Sequence, residues 1–547
     1  MSAVSATSRQ RVSWIRTVAS RAEVETPALV DWAAAVGTAL LLILSFPDFD
    51  LAPLAWVGLI PLLVVIARHP NPVRALILGW TTGTIFFYGS CYWLTYSMIH
   101  YGGLPAVVAY LLLIPGALLV GLFPGLFALV LALAIRSWGL KALLLAPLIW
   151  VATEYARLGV TGQLWNAMGY SQAYYPSLIE TARLGGVYAV SFLIVTVNST
   201  IGFALTKRTP GGLLIALVIL MLCGAIIVNE HFNHVIDSGS DSHRHLTIIA
   251  LQPNVPMQLV KTTEEMEQLF ERHLTMTTQA LNSEPAPDSA ASSISASARL
   301  VIWPESPMNF TYISDEKFKQ TVSQFAIDNR TALLFNTQEP APAGGTYNSA
   351  VLINEKGRMI SQYDKIRLLP FGEYVPLPRW LPGASLITAI VGDFTPGSNY
   401  TLMPVGDNRK AGVFICIESA YPSIARTMTK GGADALINIS NDGYLGPTAV
   451  MRQHLANAVF RAVENDRTVV RVTNSGITAL ILGDGRILDQ TKGFEPDVRV
   501  WRLSESFNAD TFYTKHGDLF AMFCLAVTTV TAIFAFMVRR KESTNLR

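Results

Sequence analysis

Gly412–Pro422 reads GVFICIESAYP, an apolar run that ends on a cysteine, an acid and a turn. Val413, Phe414 and Ile415 are β-branched or aromatic and are bounded by turn residues, so they predict a buried strand with Cys416 at its C-terminal end. Side chains that do chemistry in α/β folds are commonly displayed at such strand ends. Further strands are predicted at Leu246–Leu251, Leu300–Trp303, Ala332–Asn336, Ser349–Ile353, Ala435–Ile439 and Thr468–Val472. Helical patterns fall at Thr263–Leu281, Asp315–Asp328, Pro422–Lys430 and Thr448–Asn465. Glu355-Lys356-Gly357 and Gly483-Asp484-Gly485 read as hairpin turns, and Glu284–Ala298 as a Ser/Ala/Pro-rich loop. The alternation predicts one α/β domain over 246–505.

That domain contains a single cysteine, Cys416; the chain's other three, Cys91, Cys223 and Cys524, lie in hydrophobic stretches. A lone Cys is often just a small buried hydrophobe. Two other strand ends argue for more. Glu305 closes LVIWPESP between Pro304 and Pro307, where packing explains a carboxylate poorly. Lys365 lies in YDKIRLLPFGEYVP, a charged cluster running into an apolar loop and Glu373; alone it reads as solvated. Together the three make an acyl-transfer set. A carboxylate serves as base for the thiol, and a lysine lowers the thiol pKa and holds the charge of a tetrahedral intermediate. His454 lies in a helical stretch and reads as a structural histidine, with a Cys–His hydrolase as the rival.

The first part of the chain differs in kind. Of 547 residues 51% are hydrophobic and only 15% charged, and Ala75–Ile135 contains no Asp, Glu, Lys or Arg. One membrane crossing needs about 20 apolar residues. Eight transmembrane helices are predicted, near 29–47, 51–67, 75–98, 104–135, 142–156, 186–206, 212–229 and 518–538. Arg68/Arg74, Arg136/Lys141, Lys207/Arg208 and Arg539/Arg540/Lys541 follow the even-numbered spans, so the positive-inside rule puts both termini in the cytoplasm and the α/β domain outside it. The expected organisation is a cytoplasmic segment 1–28, a seven-helix region 29–230, a linker 231–245, the domain 246–505, the eighth span 518–538 and a cytoplasmic tail 539–547. A net charge of +2 gives no footprint for nucleic acid, and no Walker motif, dinucleotide fingerprint or metal-ligand spacing occurs, so no cofactor or metal is expected. Almost charge-free spans disfavour a transporter.

The order WPES, YDKIRLLPFGEYVP, CIES resembles the nitrilase superfamily with its Glu–Lys–Cys triad. With the membrane helices, the chain resembles the apolipoprotein N-acyltransferases. The motifs include WNAMGYSQ (165–172), QPNVP (252–256), NDGYLGPTAVMRQH (441–454) and RAVENDRTVVRVTNSGIT (461–478). The resemblance implies an αββα sandwich seated on the helical bundle, with Glu305 as general base, Lys365 as oxyanion stabiliser and Cys416 as nucleophile. Glu373 and Glu418 are the supporting acids it implies. Ile417 stands where better-studied members carry an aromatic, and its backbone N–H remains available to the oxyanion.

The implied reaction is ping-pong acyl transfer from a phosphatidylethanolamine-like phospholipid to the α-amine of a diacylglyceryl-cysteine apolipoprotein in the bacterial inner membrane. Trp165 and Tyr170, expected at the outer interface, are candidates for headgroup contact or simple aromatic-belt residues. A membrane-tethered amidase using water is the rival within the superfamily.

Overall fold

Each apolar run that ends on a chemistry-bearing residue is a strand. The computed structural model describes residues 26–236, 245–257, 261–283, 298–305, 308–342, 344–370, 372–374, 394–406, 409–504 and 509–545. The strands are β1 (His245–Gln252), β2 (Ala298–Ile302), β3 (Ala332–Pro340), β4 (Thr346–Ile353), β5 (Met359–Asp364), β6 (Leu402–Pro404), β7 (Lys410–Ile415), β8 (Ala435–Ser440), β9 (Val469–Thr473), β10 (Ala479–Ile481), β11 (Ile487–Leu488) and β12 (Asp497–Ser504). They form two six-stranded sheets, ordered β12-β1-β2-β3-β4-β5 and β11-β10-β9-β8-β7-β6. In each sheet three adjacent strands are parallel (β1-β2-β3 and β7-β8-β9) and the outer ones antiparallel.

Side chains alternate across a strand, so each sheet has two apolar faces to cover. Ile248, Leu300 and Leu334 of the first sheet share one buried cluster with Ile415, Leu436 and Val472 of the second. Their neighbours Ile249, Val301 and Leu333 point the other way, into a cluster with Leu281, Val322 and Ala326. Those three lie on two helices of the sandwich; the longer helices that precede it are α1 (Leu29–Ser45), α2 (Ile60–Arg68), α3 (Pro72–Ser90), α4 (Leu94–His100), α5 (Ala106–Trp138), α6 (Ala146–Thr161), α7 (Val187–Lys207) and α8 (Pro210–Ile236). The outer helices of the sandwich are α9 (Thr263–Ser283) and α10 (Glu316–Asn329) on one side, α11 (Pro422–Lys430) and α12 (Val450–Asn465) on the other; α13 (Leu519–Asn545) closes the chain. The layering is the expected αββα sandwich.

From Gln453 to Asn465 every residue of α12 is buried. A helix buried all round has no solvent face. This one lies between the second sheet and the membrane helices, and its polar side chains bond in both directions.

In the membrane part, α3 and α5 pack through small residues. A Cβ on Gly79 would stand 2.5 Å from Pro124 O, and one on Gly83 2.7 Å from Gly121 O. Glycines four apart on each helix (Gly79/Gly83 and Gly121/Gly125) let the backbones touch, as membrane helix pairs commonly do. Leu111, Leu112 and Leu119 of α5 and Phe523, Phe534 and Phe536 of α13 are exposed, an apolar surface of the kind that a membrane or a protein partner covers.

Among the described residues, three stretches are long and apolar enough to cross a membrane by length and composition, Ala106–Thr161, Val187–Lys207 and Leu519–Met537, against eight expected. Leu29–Ser45, Ala52–Arg68 and Pro210–Ala225 are shorter apolar helices. The expected second span is broken: a 3-10 turn, Ala52–Trp56, precedes α2. The expected third breaks between α3 and α4, where Trp93 Nε1 donates to the Ser90 carbonyl at 3.1 Å and satisfies it. The expected fourth span is one helix, α5, running through Pro115 and Pro124 without doubling back. The linker expected from residue 231 starts later, because α8 continues to Ile236; 237–244 lie outside the described residues. The Ser-rich loop at 284–297 and the first 25 residues also lie outside them. The tail expected from 539 begins as a continuation of α13.

Candidate active site

β2 ends at Ile302, three residues before Glu305; β5 ends at Asp364, directly before Lys365; β7 ends at Ile415, directly before Cys416. Strand ends from both sheets thus bring the three residues together. The Lys365 ammonium donates to Glu373 Oε1 at 2.8 Å and to Glu305 Oε1 at 3.4 Å. Its side chain is 1% exposed. Burial works against its charge, but Glu305, Glu373 and the Cys416 sulfur outweigh it and hold the lysine pKa well above its usual value.

Two carboxylates this close need more than one donor. Asn348, on β4, supplies both amide hydrogens, one to Glu305 Oε1 at 2.9 Å and one to Glu373 Oε1 at 2.7 Å. Its own Oδ1 accepts from Asn336 Nδ2 at 2.7 Å. The Asn441 backbone N–H donates to Glu305 Oε2 at 3.1 Å, and the Leu369 N–H to Glu373 Oε2 at 2.7 Å.

Cys416 opens a 3-10 turn, Cys416–Ala420, with φ of +52°. A non-glycine residue held in the left-handed region stores strain, and such outliers cluster at functional sites. Burial, then the Glu305 carboxylate, push the thiol pKa up, while Lys365 pulls it down.

Glu418 secures this turn. Its Oε2 accepts from Ile415 N at 2.7 Å, and its Oε1 from Ile366 N at 2.7 Å, Arg367 N at 3.0 Å and Tyr363 OH at 2.8 Å. One side chain thereby ties the end of β7 to the segment carrying Lys365. Burial pushes the Glu418 carboxyl up to about 7, against the lowering pull of those backbone N–H groups.

Trp165 and Tyr170, expected at the outer interface, are instead buried, at 5% and 3% exposed. Both are turned inward onto α12. Trp165 Nε1 donates to Gln453 Oε1 at 2.8 Å, and Tyr170 OH accepts from Arg461 Nη2 at 3.2 Å. Arg461 Nη1 also donates to Ser419 O at 2.9 Å, in the turn that Cys416 opens. His454, read from the sequence as structural, reaches the Cys416 carbonyl with Nε2 at 2.9 Å.

Asn348, Asn441, Gln453 and Arg461 were missed by sequence reasoning. Asn441 and Gln453 lie inside the quoted motif NDGYLGPTAVMRQH, and Arg461 opens RAVENDRTVV; Asn348 had no comparable signal.

Residues 38–200 match the family described as Apolipoprotein N-acyltransferase N-terminal domain, and residues 247–506 match Carbon-nitrogen hydrolase. An apolipoprotein N-acyltransferase of Geobacter metallireducens is 32% identical over 94% of this chain and 96% of its own length. The chain belongs to the apolipoprotein N-acyltransferase family. A second member, from Thermotoga maritima, is 30% identical over 95% of this chain and 97% of its own length. Among solved structures, Saccharomyces cerevisiae Nit3, a member of branch 10 of the nitrilase superfamily, is 18% identical, with a TM-score of 0.37 over 48% of this chain and 93% of its own. As a family member the chain combines an acyltransferase membrane part with a nitrilase-like α/β domain, and its substrates are lipids and lipoproteins in general terms.

Proposed function

We propose that this family member moves an acyl chain from a phosphatidylethanolamine-like phospholipid to the N-terminal amine of a diacylglyceryl-cysteine apolipoprotein, through a thioester on Cys416. The observation that carries this reading is the strained Cys416 at a strand end, electrostatically coupled to Glu305 and Lys365. Glu305 takes the thiol proton as sulfur attacks the sn-1 ester carbonyl. The Lys365 ammonium and the Ile417 N–H hold the negative oxygen that forms. When the tetrahedral intermediate collapses, the glycerol oxygen leaves with the proton from Glu305, giving a lysophospholipid and the thioester. The lipoprotein amine then attacks, Glu305 accepts its proton, and the thiol is released reprotonated. Glu373 and Glu418 act as supporting acids. The first holds Lys365, and the second holds the turn.

Both substrates are anchored in the bilayer, which gives a physical reason for the membrane helices. In this reading eight segments span the inner membrane, the basic loops and both termini are cytoplasmic, and the domain 246–505 is periplasmic.

The test is intact-mass analysis of the purified protein after incubation with phospholipid. One acyl chain should add to the wild type and none to Cys416→Ala, whereas replacing Cys91, Cys223 and Cys524 together should leave acylation in place. Adding a diacylglyceryl-cysteine peptide should discharge the thioester onto its amine. Normal turnover by Cys416→Ala would remove the mechanism, and discharge to free fatty acid alone would make the enzyme a hydrolase.

A further inference from the structure

His454 sits between two oxygens. Its Nδ1 lies 2.7 Å from Asp442 Oδ1 and its Nε2 lies 2.9 Å from Cys416 O. Asp442 is itself held by Arg471, whose Nη2 donates to Asp442 Oδ2 at 2.9 Å. That guanidinium and His454, acting against burial, keep the Asp442 carboxyl down at about 2. A carbonyl only accepts hydrogen bonds, so on the Cys416 side the Nε2–H of His454 is the donor.

The acceptor on the Cys416 side belongs to a particular peptide. The Cys416 carbonyl and the Ile417 N–H are opposite ends of one planar unit. Fixing the oxygen fixes the direction of the N–H. A hydrogen bond on the oxygen also polarises the unit and strengthens the N–H as a donor. This peptide follows a residue at φ +52°, a conformation that needs outside restraint to persist.

The histidine is in turn located by the membrane part. The Trp165 ring packs on it at 5.7 Å between centroids. The preceding residue, Gln453, uses its whole amide there. Its Oε1 accepts from Trp93 Nε1 at 3.0 Å and Trp165 Nε1 at 2.8 Å, and its Nε2 donates to Pro47 O and Ser90 O, both at 3.0 Å. That saturates the hydrogen-bonding capacity of the side chain.

We propose that His454 is a positioning residue for the oxyanion site: its Nε2–H, aimed by Asp442 and by the membrane-anchored Gln453–Trp165 contact, orients and polarises the Cys416–Ile417 peptide whose N–H meets the tetrahedral intermediate. This rests on the reading of Cys416 as nucleophile. It replaces the purely structural role expected from sequence, under which His454→Ala would stay active.

The experiment compares two reactions of the same sulfur in the full-length protein in detergent. Acylation by phosphatidylethanolamine passes through an oxyanion. Alkylation by iodoacetamide displaces iodide directly and passes through none. Both are followed at Cys416 by peptide mass spectrometry. His454→Ala and His454→Leu remove the donor, and whichever folds, judged by its Tm, serves; His454→Gln keeps an N–H able to reach the carbonyl. Loss of one oxyanion donor costs about 10²–10³ in rate, and a misaimed donor should cost at least about tenfold at saturating phospholipid. The half-saturating phospholipid concentration and the alkylation rate should each stay within about threefold of wild type. His454→Gln should acylate faster than the donor-free variant. Wild-type acylation by the donor-free variant overturns the proposal, as does alkylation falling in parallel with acylation, or His454→Gln doing no better than the donor-free variant. Failure of the underlying reading is distinguishable, because the wild type itself would then not acylate at Cys416.

Discussion

Lys365 Nζ lies 2.8 Å from Glu373 Oε1, closer than its 3.4 Å to Glu305 Oε1. The ammonium therefore leans on Glu373, and in the proposed mechanism, with Glu305 as base, Glu305 Oε2 beside the Asn441 N–H keeps a lone pair for the proton. Glu373→Gln removes that counter-charge while keeping an acceptor. Lys365 should then close on Glu305 and make it a poorer base. A positioned base contributes about 10²–10⁴ in rate, so we expect single-turnover acylation to fall by at least about tenfold. Phospholipid binding should be retained. A Glu373→Gln variant with wild-type acylation would show that the 2.8 Å contact is dispensable.

Glu305→Gln and Lys365→Ala separate the two reacting roles. The first leaves the thiol protonated and should stop both half-reactions. The second removes an oxyanion donor and should slow each by about 10²–10³. Single-turnover acylation by phospholipid distinguishes them: Glu305→Gln should form no thioester, and Lys365→Ala should form it about 10²–10³ more slowly.

In the membrane part, the close approach of α3 and α5 is testable at Gly121. A Cβ there would stand 2.5 Å from Thr84 N and 2.8 Å from Thr84 Cα, which are backbone atoms that cannot swing away. Gly121→Val should therefore lower the Tm of the detergent-solubilised protein by several degrees, an overpacking cost of about 1–3 kcal/mol. Gly116, with nothing within 4 Å of its Cβ position, is the control: Gly116→Ala should leave Tm unchanged or slightly raised.

Much of the sandwich was legible because its central strands are uninterrupted apolar runs. Leu246–Leu251 and Ala435–Ile439 fall within one residue of β1 and β8. β5 was not predicted: it carries Ser361 and Gln362, and its first residues are exposed, so no apolar period marks it. β12 escaped for a related reason, since Arg499 and Arg502 interrupt its apolar residues and its partner β1 lies about 250 positions earlier in the chain. At the site, Glu305 and Cys416 stood out as polar residues ending apolar runs, and Lys365 only through its charge cluster and the chemistry the three make together. Asn348 and Asp442 act across sequence separations of 25 to 43 and of 12 and 29 residues, a relationship no local pattern encodes. Trp165 and Tyr170 read as interface residues, for headgroup contact or as an aromatic belt, because sequence cannot tell a lipid interface from a protein one.

Orientation is tested at the β4–β5 turn, where Lys356 is exposed. Lys356→Cys in a background lacking Cys91, Cys223 and Cys524 should react with a membrane-impermeant maleimide in intact spheroplasts. Labelling only after lysis would place the α/β domain in the cytoplasm and reverse the reading of the basic loops.

His273 offers a pH signature of the sandwich itself. It is buried under α9 beside Trp303, with ring centroids 5.2 Å apart, and its Nδ1 donates to Leu269 O at 2.7 Å. Burial brings its pKa from 6.5 down to about 4, with the Leu269 carbonyl opposing. The folded protein thus holds this ring neutral where the unfolded chain would protonate it. For a histidine depressed in this way the unfolded state binds more protons below 6.5, so stability falls as pH drops from 6.5 and stops falling near 4. Over that window the group contributes a loss of about 3 kcal/mol. His273→Leu has no proton to bind in either state. Its Tm, followed by tryptophan fluorescence, should change less between pH 7 and pH 4 than that of the wild type. Parallel Tm profiles for the two proteins would show that the buried ring does not set the acid sensitivity of the domain.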